Sequence, residues 1–323
     1  MKKVLVTEPI HPDGMAILNN HPDFEVKELS QWDEASLLKA VPDVDAILVR
    51  SAQINETVLA EAGNVQVVSR HGVGCDNIAV PVLSRRKIPM AIAASANSTS
   101  VAEHVIMMIM MLTKQAVAYD QAAREGRYHD RGKFHTTELA DKTILIIGYG
   151  RIGRKLAPIC KAFGMRVIVA DIALDHALAE QQQCETTEDF RPFLSEADFV
   201  SVHVPLNDET ADLIDSAELA QMPSHAIVIN CARGGIVNES AVARAVLEGG
   251  IAGTGADVFS VEPPPMDNPL LSLPNSVLSP HSAAVTREGA RRMGIEAAQN
   301  IVDHFNGSLR ASHVFNAAEL GLL

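Results

Sequence analysis

The clearest chemistry-bearing spacing is Gly148-Tyr149-Gly150-Arg151-Ile152-Gly153, with Asp171 placed 18 positions after Gly153. In such a run Gly148 permits a tight turn and Gly150 lets the backbone approach a pyrophosphate. Gly153 lets the following helix lie against the preceding strand. The N-terminus of that helix offers N–H groups and partial positive charge to phosphates. Asp171 can accept hydrogen bonds from adenosine ribose hydroxyls, and its charge repels a 2′-phosphate. The chemistry implied is dinucleotide binding, with NAD favoured over NADP. A glycine run alone is weak; a strand before it and an acid closing the next strand make it specific. The plain alternative is a strand–turn–helix unit without a ligand.

The elements that must position this turn are short. Residues 143–147 are apolar and β-branched and read as a buried strand. Residues 154–163 read as a helix ended by Gly164, and 165–170 as a second strand. Further strands are expected at 198–203, 226–230, 251–256 and 277–279, each running into polar residues. One sheet edge therefore carries Asp171, His203, Arg233, Asp257, Glu262 and His281. Hydride transfer to a carbonyl carbon needs a proton donor and a group that fixes the substrate. Histidine suits the first task. A carboxylate partner would orient its ring and stabilise the imidazolium. Arginine holds a carboxylate bidentately. Arg233, Glu262 and His281 supply these types, although periodicity alone does not select them.

The first third alternates strands (4–7, 24–27, 46–49, 65–69, 89–93) with helical stretches such as 33–40 and 55–62, which implies a separate parallel-sheet α/β domain. Its fourth strand leads into Arg70-His71-Gly72-Val73-Gly74-Cys75-Asp76-Asn77, either a plain turn or a backbone cradle for a carboxylate. Arg50 and Ser51 end the third strand, so Arg50 and Arg70 share one sheet edge. Residues 97–103 read as a helix start, with Ser100 and Glu103 at capping-box spacing. The helix continues through an apolar run, 105–112, expected to be buried; its methionines suit core or subunit contact, and His104 reads as a core or interface histidine. Residues 119–135 read as an irregular polar arm, and a helix from Arg287 to about Phe305 can return to the first domain.

With 323 residues, two domains of roughly 150 each are expected. The net charge of −13 argues against nucleic acid or an anionic membrane as partner. The four cysteines have no ligand or disulfide spacing, which implies reduced thiols, no metal and a cytoplasmic setting. Residues 1–6 run straight into a strand and do not read as a signal peptide, and the longest apolar run, eight residues, is too short for a membrane span.

Seven segments together resemble the D-2-hydroxyacid dehydrogenase family, whose members include D-3-phosphoglycerate dehydrogenase, hydroxypyruvate and glyoxylate reductases and D-lactate dehydrogenase. They are residues 70–77, Ser100-Val101-Ala102-Glu103-His104, the glycine turn, His203-Val204-Pro205-Leu206, Asn230-Cys231-Ala232-Arg233-Gly234-Gly235, Asp257-Val258-Phe259 with Glu262-Pro263, and Pro280-His281. The resemblance implies two doubly wound parallel-sheet α/β domains with an interdomain cleft. Residues 1–96 with 289–323 would form a flavodoxin-like substrate domain, and 97–288 a Rossmann NAD-binding domain. It implies His281 as general acid/base, Glu262 as its partner, and Arg233 on the substrate carboxylate and carbonyl. The backbone of Val73 and Gly74 would hold the carboxylate. Arg151 and Ile152 would meet the pyrophosphate, Asp171 the ribose, His203, Pro205 and Thr210 the adenine end, and Thr99, Cys231 and Asp257 the nicotinamide end. A homodimer built through the cofactor domain and its arm is also implied.

Arg50, Ser51 and Arg70 resemble positions where phosphoglycerate dehydrogenases hold a distal phosphate, so a 3-phosphoglycerate-like substrate is expected; the alternative is a small one such as hydroxypyruvate or glyoxylate. The pattern departs from the family at Ala79, where an acid is frequent, and at Ser282-Ala283. The stop at Leu323 implies absence of the regulatory extension of some phosphoglycerate dehydrogenases. Glu262 speaks against formate dehydrogenase, which pairs its histidine with glutamine. A different class, an NAD-sensing corepressor-like binding protein, shares the fold.

Overall fold

The computed structural model describes residues 1–133 and 136–323; Phe134 and His135, the last two residues of the expected arm, lie outside the described residues. The chain divides into two compact units, Met1–Asn97 with Val285–Leu323, and Ser98–Ala284.

The first unit begins β1 (Lys2–Val6), α1 (Pro12–Asn19), β2 (Phe24–Glu28), α2 (Glu34–Ala40), β3 (Ala46–Val49), α3 (Glu56–Glu61), β4 (Val67–Arg70), α4 (Val80–Arg85) and β5 (Met90–Ile92). Its parallel sheet has the order β2-β1-β3-β4-β5, the flavodoxin-like winding. Alternate residues of one strand feed opposite cores. Leu5, Ile47 and Val49 pack on one face, and Val4, Val6, Ala46 and Leu48 on the other. Asp33 and Asn55 begin α2 and α3 by accepting from the N–H groups of Ser36 and Val58.

The second unit contains α5 (Ser98–Thr113), α6 (Ala116–Arg124), β6 (Thr143–Ile147), α7 (Gly153–Ala162), β7 (Arg166–Ala170), α8 (His176–Gln181), β8 (Glu185–Thr187), β9 (Phe199–Val202), α9 (Ser216–Leu219), β10 (Ile227–Asn230), α10 (Glu239–Leu247), β11 (Gly253–Ala256) and β12 (Ser276–Leu278). All strand pairs are parallel, in the order β12-β11-β10-β9-β6-β7-β8. The winding reverses between β6 and β9, the place where such sheets put ligands. Gly255 makes room for α5: a Cβ there would sit 2.7 Å from Ile229 Cδ1 and 3.0 Å from Met108 Sδ.

The final long helix, α11 (Arg287–Phe305), belongs to the first unit and brings Ala297, Ala298 and Ile301 onto the β1 side of that sheet. Ser69 Oγ donates to Ala297 O at 2.8 Å.

Three local readings are corrected. Helix α5 starts at Ser98, so Ser100 is a buried residue of its first turn and not a capping-box residue. The apolar run of α5 is not enclosed all round, because Met107 remains 39% exposed. The arm is largely helical: α6 is followed by a 3-10 turn, Tyr128–Gly132, with ion pairs from Arg124 to Asp120 and from Arg127 to Asp130. Strand β8 was not anticipated; it is a polar edge strand without the apolar run that marks its neighbours. Among the described residues no single helix is long and apolar enough to cross a membrane.

Candidate functional site

The glycine turn follows β6. Gly148 has φ +101, and a Cβ there would sit 2.7 Å from the carbonyl of His203. A Cβ on Gly153 would meet Gly148 O at 2.3 Å. Gly150 faces open space, with no atom within 4 Å of its Cβ position. The turn is braced from inside by Tyr149, which the sequence reading passed over. Its hydroxyl donates to Gln182 Oε1 at 2.7 Å, its N–H donates to Asp171 Oδ2 at 2.7 Å, and its carbonyl accepts from Arg154 Nε at 2.9 Å. Burial pushes the Tyr149 hydroxyl up to about 12. Asp171 also accepts from Ala173 N–H at 2.9 Å, so it ties the turn to the end of β7. Arg151 is exposed and Ile152 half-buried at the entrance to α7.

At the other expected cofactor positions, His203 N–H donates to Ile147 O at 2.6 Å and its Nε2 lies 2.9 Å from Ser201 Oγ. His203 Nδ1 is buried with no partner among the described residues. Burial pulls this imidazole down to about 4, so it is neutral at physiological pH. Thr210 Oγ1 donates to Pro205 O at 2.5 Å and holds the loop that presents Pro205. Thr99 is exposed on the first turn of α5, while Cys231 is buried 3.8 Å from Met108 Sδ. Burial, and then the Asp257 charge, push the Cys231 thiol far above its usual range, making it an unreactive neutral group. An open face over Gly150, a helix N-terminus at α7, an acid beyond β7 and an orphaned ring nitrogen at His203 form a cradle that fits a dinucleotide.

Arg233, Glu262 and His281 sit past the ends of β10, β11 and β12. Asn230 shapes the first of these turns, donating through Nδ2 to Arg233 O at 2.8 Å and accepting from Ala232 N–H at 3.0 Å. Gly234 lies directly against the next turn, since a Cβ there would be 2.0 Å from the Phe259 carbonyl. Glu262 Oε1 accepts from Phe259 N–H at 3.1 Å, and Oε2 lies 2.7 Å from His281 Nδ1. A carboxylate only accepts, so His281 Nδ1 carries a proton and Nε2 is left to exchange one. Both side chains reach solvent, at 37% exposure for Glu262 and 46% for His281. Asp257, expected near the nicotinamide, is buried; its carboxylate accepts from Ser282 N–H at 2.8 Å and Ala283 N–H at 2.9 Å. A cavity of about 460 Å³ adjoins the pair, lined by Phe259, Pro263, Leu278 and Pro280 among others.

In the first unit two of the expected anion-binding residues, Ser51 and Arg70, make hydrogen bonds within the fold. The carboxylate of Glu8, which the sequence reading missed, accepts from the N–H groups of Arg50, Ser51 and Ala52 at 3.0, 2.8 and 3.2 Å, and from the Ser51 hydroxyl. Arg70 Nε donates to Gly74 O at 2.8 Å and Nη1 to His71 O at 2.7 Å, so its guanidinium shapes the turn that holds Val73 and Gly74. The Arg50 side chain is exposed. His71 is buried with Nε2 unpartnered among the described residues; burial, then Arg50 and Arg70, pull it down to about 4. A larger cavity, about 630 Å³ beside Lys87, His304 and Leu320, contains none of these residues. Among the described residues no group of His, Cys, Asp or Glu could hold a metal ion.

Known proteins share this architecture. Over 98% of its length the chain is 36% identical to a D-3-phosphoglycerate dehydrogenase of Methanocaldococcus jannaschii, covering 60% of that protein. A hydroxypyruvate reductase of Thermotoga maritima is 34% identical, over 93% of this chain and 97% of its own. The structure of an Aquifex aeolicus D-lactate dehydrogenase complexed with NAD and lactic acid superposes with a TM-score of 0.85 at 25% identity, covering 97% of this chain and 98% of that one. The chain spans about three fifths of the length of the phosphoglycerate dehydrogenases it matches, 60% and 58% for two of them. Residues 106–283 match the family model for the NAD binding domain of D-isomer specific 2-hydroxyacid dehydrogenases, and the chain belongs to that family.

Proposed function

We propose that the protein is an NAD-dependent D-2-hydroxyacid dehydrogenase, or 2-keto acid reductase, using Arg233, Glu262 and His281. The observation that carries this reading is the 2.7 Å contact between Glu262 Oε2 and His281 Nδ1 at the same sheet edge as Arg233 and the glycine turn. Bound NAD would supply or accept the hydride. In the reducing direction protonated His281 gives its Nε2 proton to the carbonyl oxygen, while Glu262 holds the ring and stabilises its charged form. Arg233 holds the substrate carboxylate and counters the charge that develops on the oxygen. We assign carboxylate binding also to the backbone of Val73 and Gly74. Arg151 and Ile152 meet the pyrophosphate, Asp171 the ribose, His203, Pro205 and Thr210 the adenine end, and Thr99, Cys231 and Asp257 the nicotinamide end.

For the substrate tail we favour a short one, as in hydroxypyruvate or glyoxylate. The Glu8 carboxylate already holds Ser51, and a phosphate placed there would face a fixed negative charge. The exposed Arg50 favours the second reading, a tail with its own anionic group. We also propose a cytoplasmic homodimer, supported by the four free thiols and by exposed Val117 and Tyr128 on the segment after α5.

NADH oxidation against hydroxypyruvate, glyoxylate, pyruvate and phosphohydroxypyruvate tests these readings. Arg233→Ala and His281→Ala are expected to lose at least about a hundredfold in turnover; wild-type rates in either would overturn the assignment. Arg50→Ala should leave KM for the short substrates unchanged, and a rise confined to phosphohydroxypyruvate would favour the second reading. Intact NADH binding without turnover on any keto acid would point to a nucleotide sensor instead.

A further inference from the structure

Behind the turn that carries His281, two side chains that the proposed reaction does not use, His104 and Ser279, form a chain that ends on Asp257. His104 Nε2, on α5, lies 2.8 Å from Ser279 Oγ. Ser279 Oγ donates to Asp257 Oδ1 at 2.5 Å, and His104 Nε2 is 3.7 Å from that same oxygen. Asp257 is 2% exposed at its side chain and His104 15%, so water competes little for these bonds. The direction of the chain follows from the donor inventory. A carboxylate accepts only, and a serine hydroxyl has one proton to give. Ser279 gives that proton to Asp257 and must accept from His104, which therefore carries a proton on Nε2.

The far end of the chain is the turn itself. The Asp257 carboxylate takes Ser282 N–H and Ala283 N–H, and the Asp257 carbonyl takes His281 N–H at 2.7 Å. His281 sits at φ +52, a left-handed backbone that residues other than glycine seldom adopt. Glu262 fixes only its ring. The backbone conformation that aims the ring is held by Asp257, and Asp257 is held by Ser279 and His104.

We propose that His104 is a positioning residue: through Ser279 and Asp257 its Nε2–H fixes the 279–283 turn and so the aim of His281. The proposal rests on His281 being the group that exchanges a proton with substrate. It gives a half-buried histidine of α5 a place in the reaction without contact with the reacting atoms.

The test compares His104→Leu, His104→Gln, Ser279→Ala and the double variant H104L/S279A, with His281→Ala alongside. Turnover of a 2-keto acid, KM, the Kd for NADH and thermal stability are measured for each. His104→Leu and Ser279→Ala should each lower kcat by about tenfold to a hundredfold, as expected for a reacting group misplaced by about 1 Å, with KM and NADH affinity little changed. His104→Gln, whose amide can still donate to Ser279, should recover most of the rate. The double variant should be no slower than the slower single one, because the two residues act through one path. Wild-type kcat in folded His104→Leu, an equal loss in His104→Gln, or losses that multiply in the double variant would overturn the proposal. If His104→Leu does not fold, Ser279→Ala and His104→Gln decide the matter by the same criteria. If His281→Ala retains turnover, the reading of the reaction itself fails; if it is inactive while His104→Leu and Ser279→Ala are normal, only the role of His104 fails.

Discussion

At the scale of single residues, Asp171 shows how a carboxylate can serve fold and specificity together. Asp171 receives Tyr149 N–H and Ala173 N–H, so it braces the glycine turn whether or not a ribose is present. Its negative charge is a separate property. Asp171→Asn keeps an acceptor for one of those N–H groups and removes the charge. We expect this variant to bind NADH more weakly by about tenfold, the usual scale for a hydrogen bond to a charged group, and to gain affinity for NADPH. Fluorescence titration with both nucleotides checks this, and an unchanged ratio of their Kd values would count against the ribose role. Asp171→Ala should lose more, because the turn loses both acceptors. Glu8 shows the opposite outcome. Its oxygens are saturated by Thr7, Ser51 and three backbone N–H groups, so it completes the β3 turn from within.

At the scale of elements, close approach sets the strictest requirements. Helices α1 and α11 cross where Gly14 meets Gly294, and a Cβ on Gly14 would lie 2.5 Å from Gly294 O. Neither backbone can yield without moving its helix, so Gly14→Ala should destabilise the first unit by about 1–3 kcal/mol. Gly63→Ala, with nothing within 4 Å of the added methyl, is the matched control and should be close to neutral. Thermal unfolding of the two variants decides the point; equal midpoints would mean that the helices can separate freely. Such contacts also explain what could be read from the chain alone. The glycine turn was legible because each glycine answers a steric demand at fixed spacing, and β3, β6 and β10 because a strand buried on both faces must be apolar throughout. Edge strand β8 has no such demand. The start of α5 lies at Ser98, within the 97–103 stretch read as a helix start; only its cap was misread, because Ser100 and Glu103 match a capping box by spacing. Glu8 was missed because its partners at Arg50, Ser51 and Ala52 lie 42 or more positions away, and no local pattern records such pairings.

At the scale of the whole molecule, buried titratable groups set how the protein responds to acid. His71 in the first unit and His203 in the second are both pulled from 6.5 to about 4 by burial, with Arg50 and Arg70 adding to the effect at His71. The unfolded chain takes up these protons below about 6.5 while the folded chain refuses them until about 4. The stability tied to each histidine is therefore complete above 6.5 and is lost progressively as the pH falls to about 4. For His71, which is nearly inaccessible, the loss is on the order of 3 kcal/mol. Glu8 acts next and in the same unit. Burial alone would raise its pKa, but hydrogen bonds from Ser51, Thr7 and Ala52 outweigh burial and leave it below the ordinary 4.5. Its contribution is full above 4.5 and disappears as the pH falls through the lower folded value. His71 and Glu8 thus act in succession in the first unit, where burial also pulls His304 down. Trp32 lies in that unit and is the one tryptophan of the chain, so its fluorescence reports the unit directly. We expect an acid unfolding curve followed at Trp32 to begin falling below about 6.5 and to steepen below 4.5. His71→Leu should flatten the upper part and leave the lower part in place. Glu8→Gln should lower stability at neutral pH while flattening the lower part. A curve unchanged by either substitution would show that acid acts elsewhere, and a histidine effect of the opposite sign would mean that His71 is charged in the folded protein.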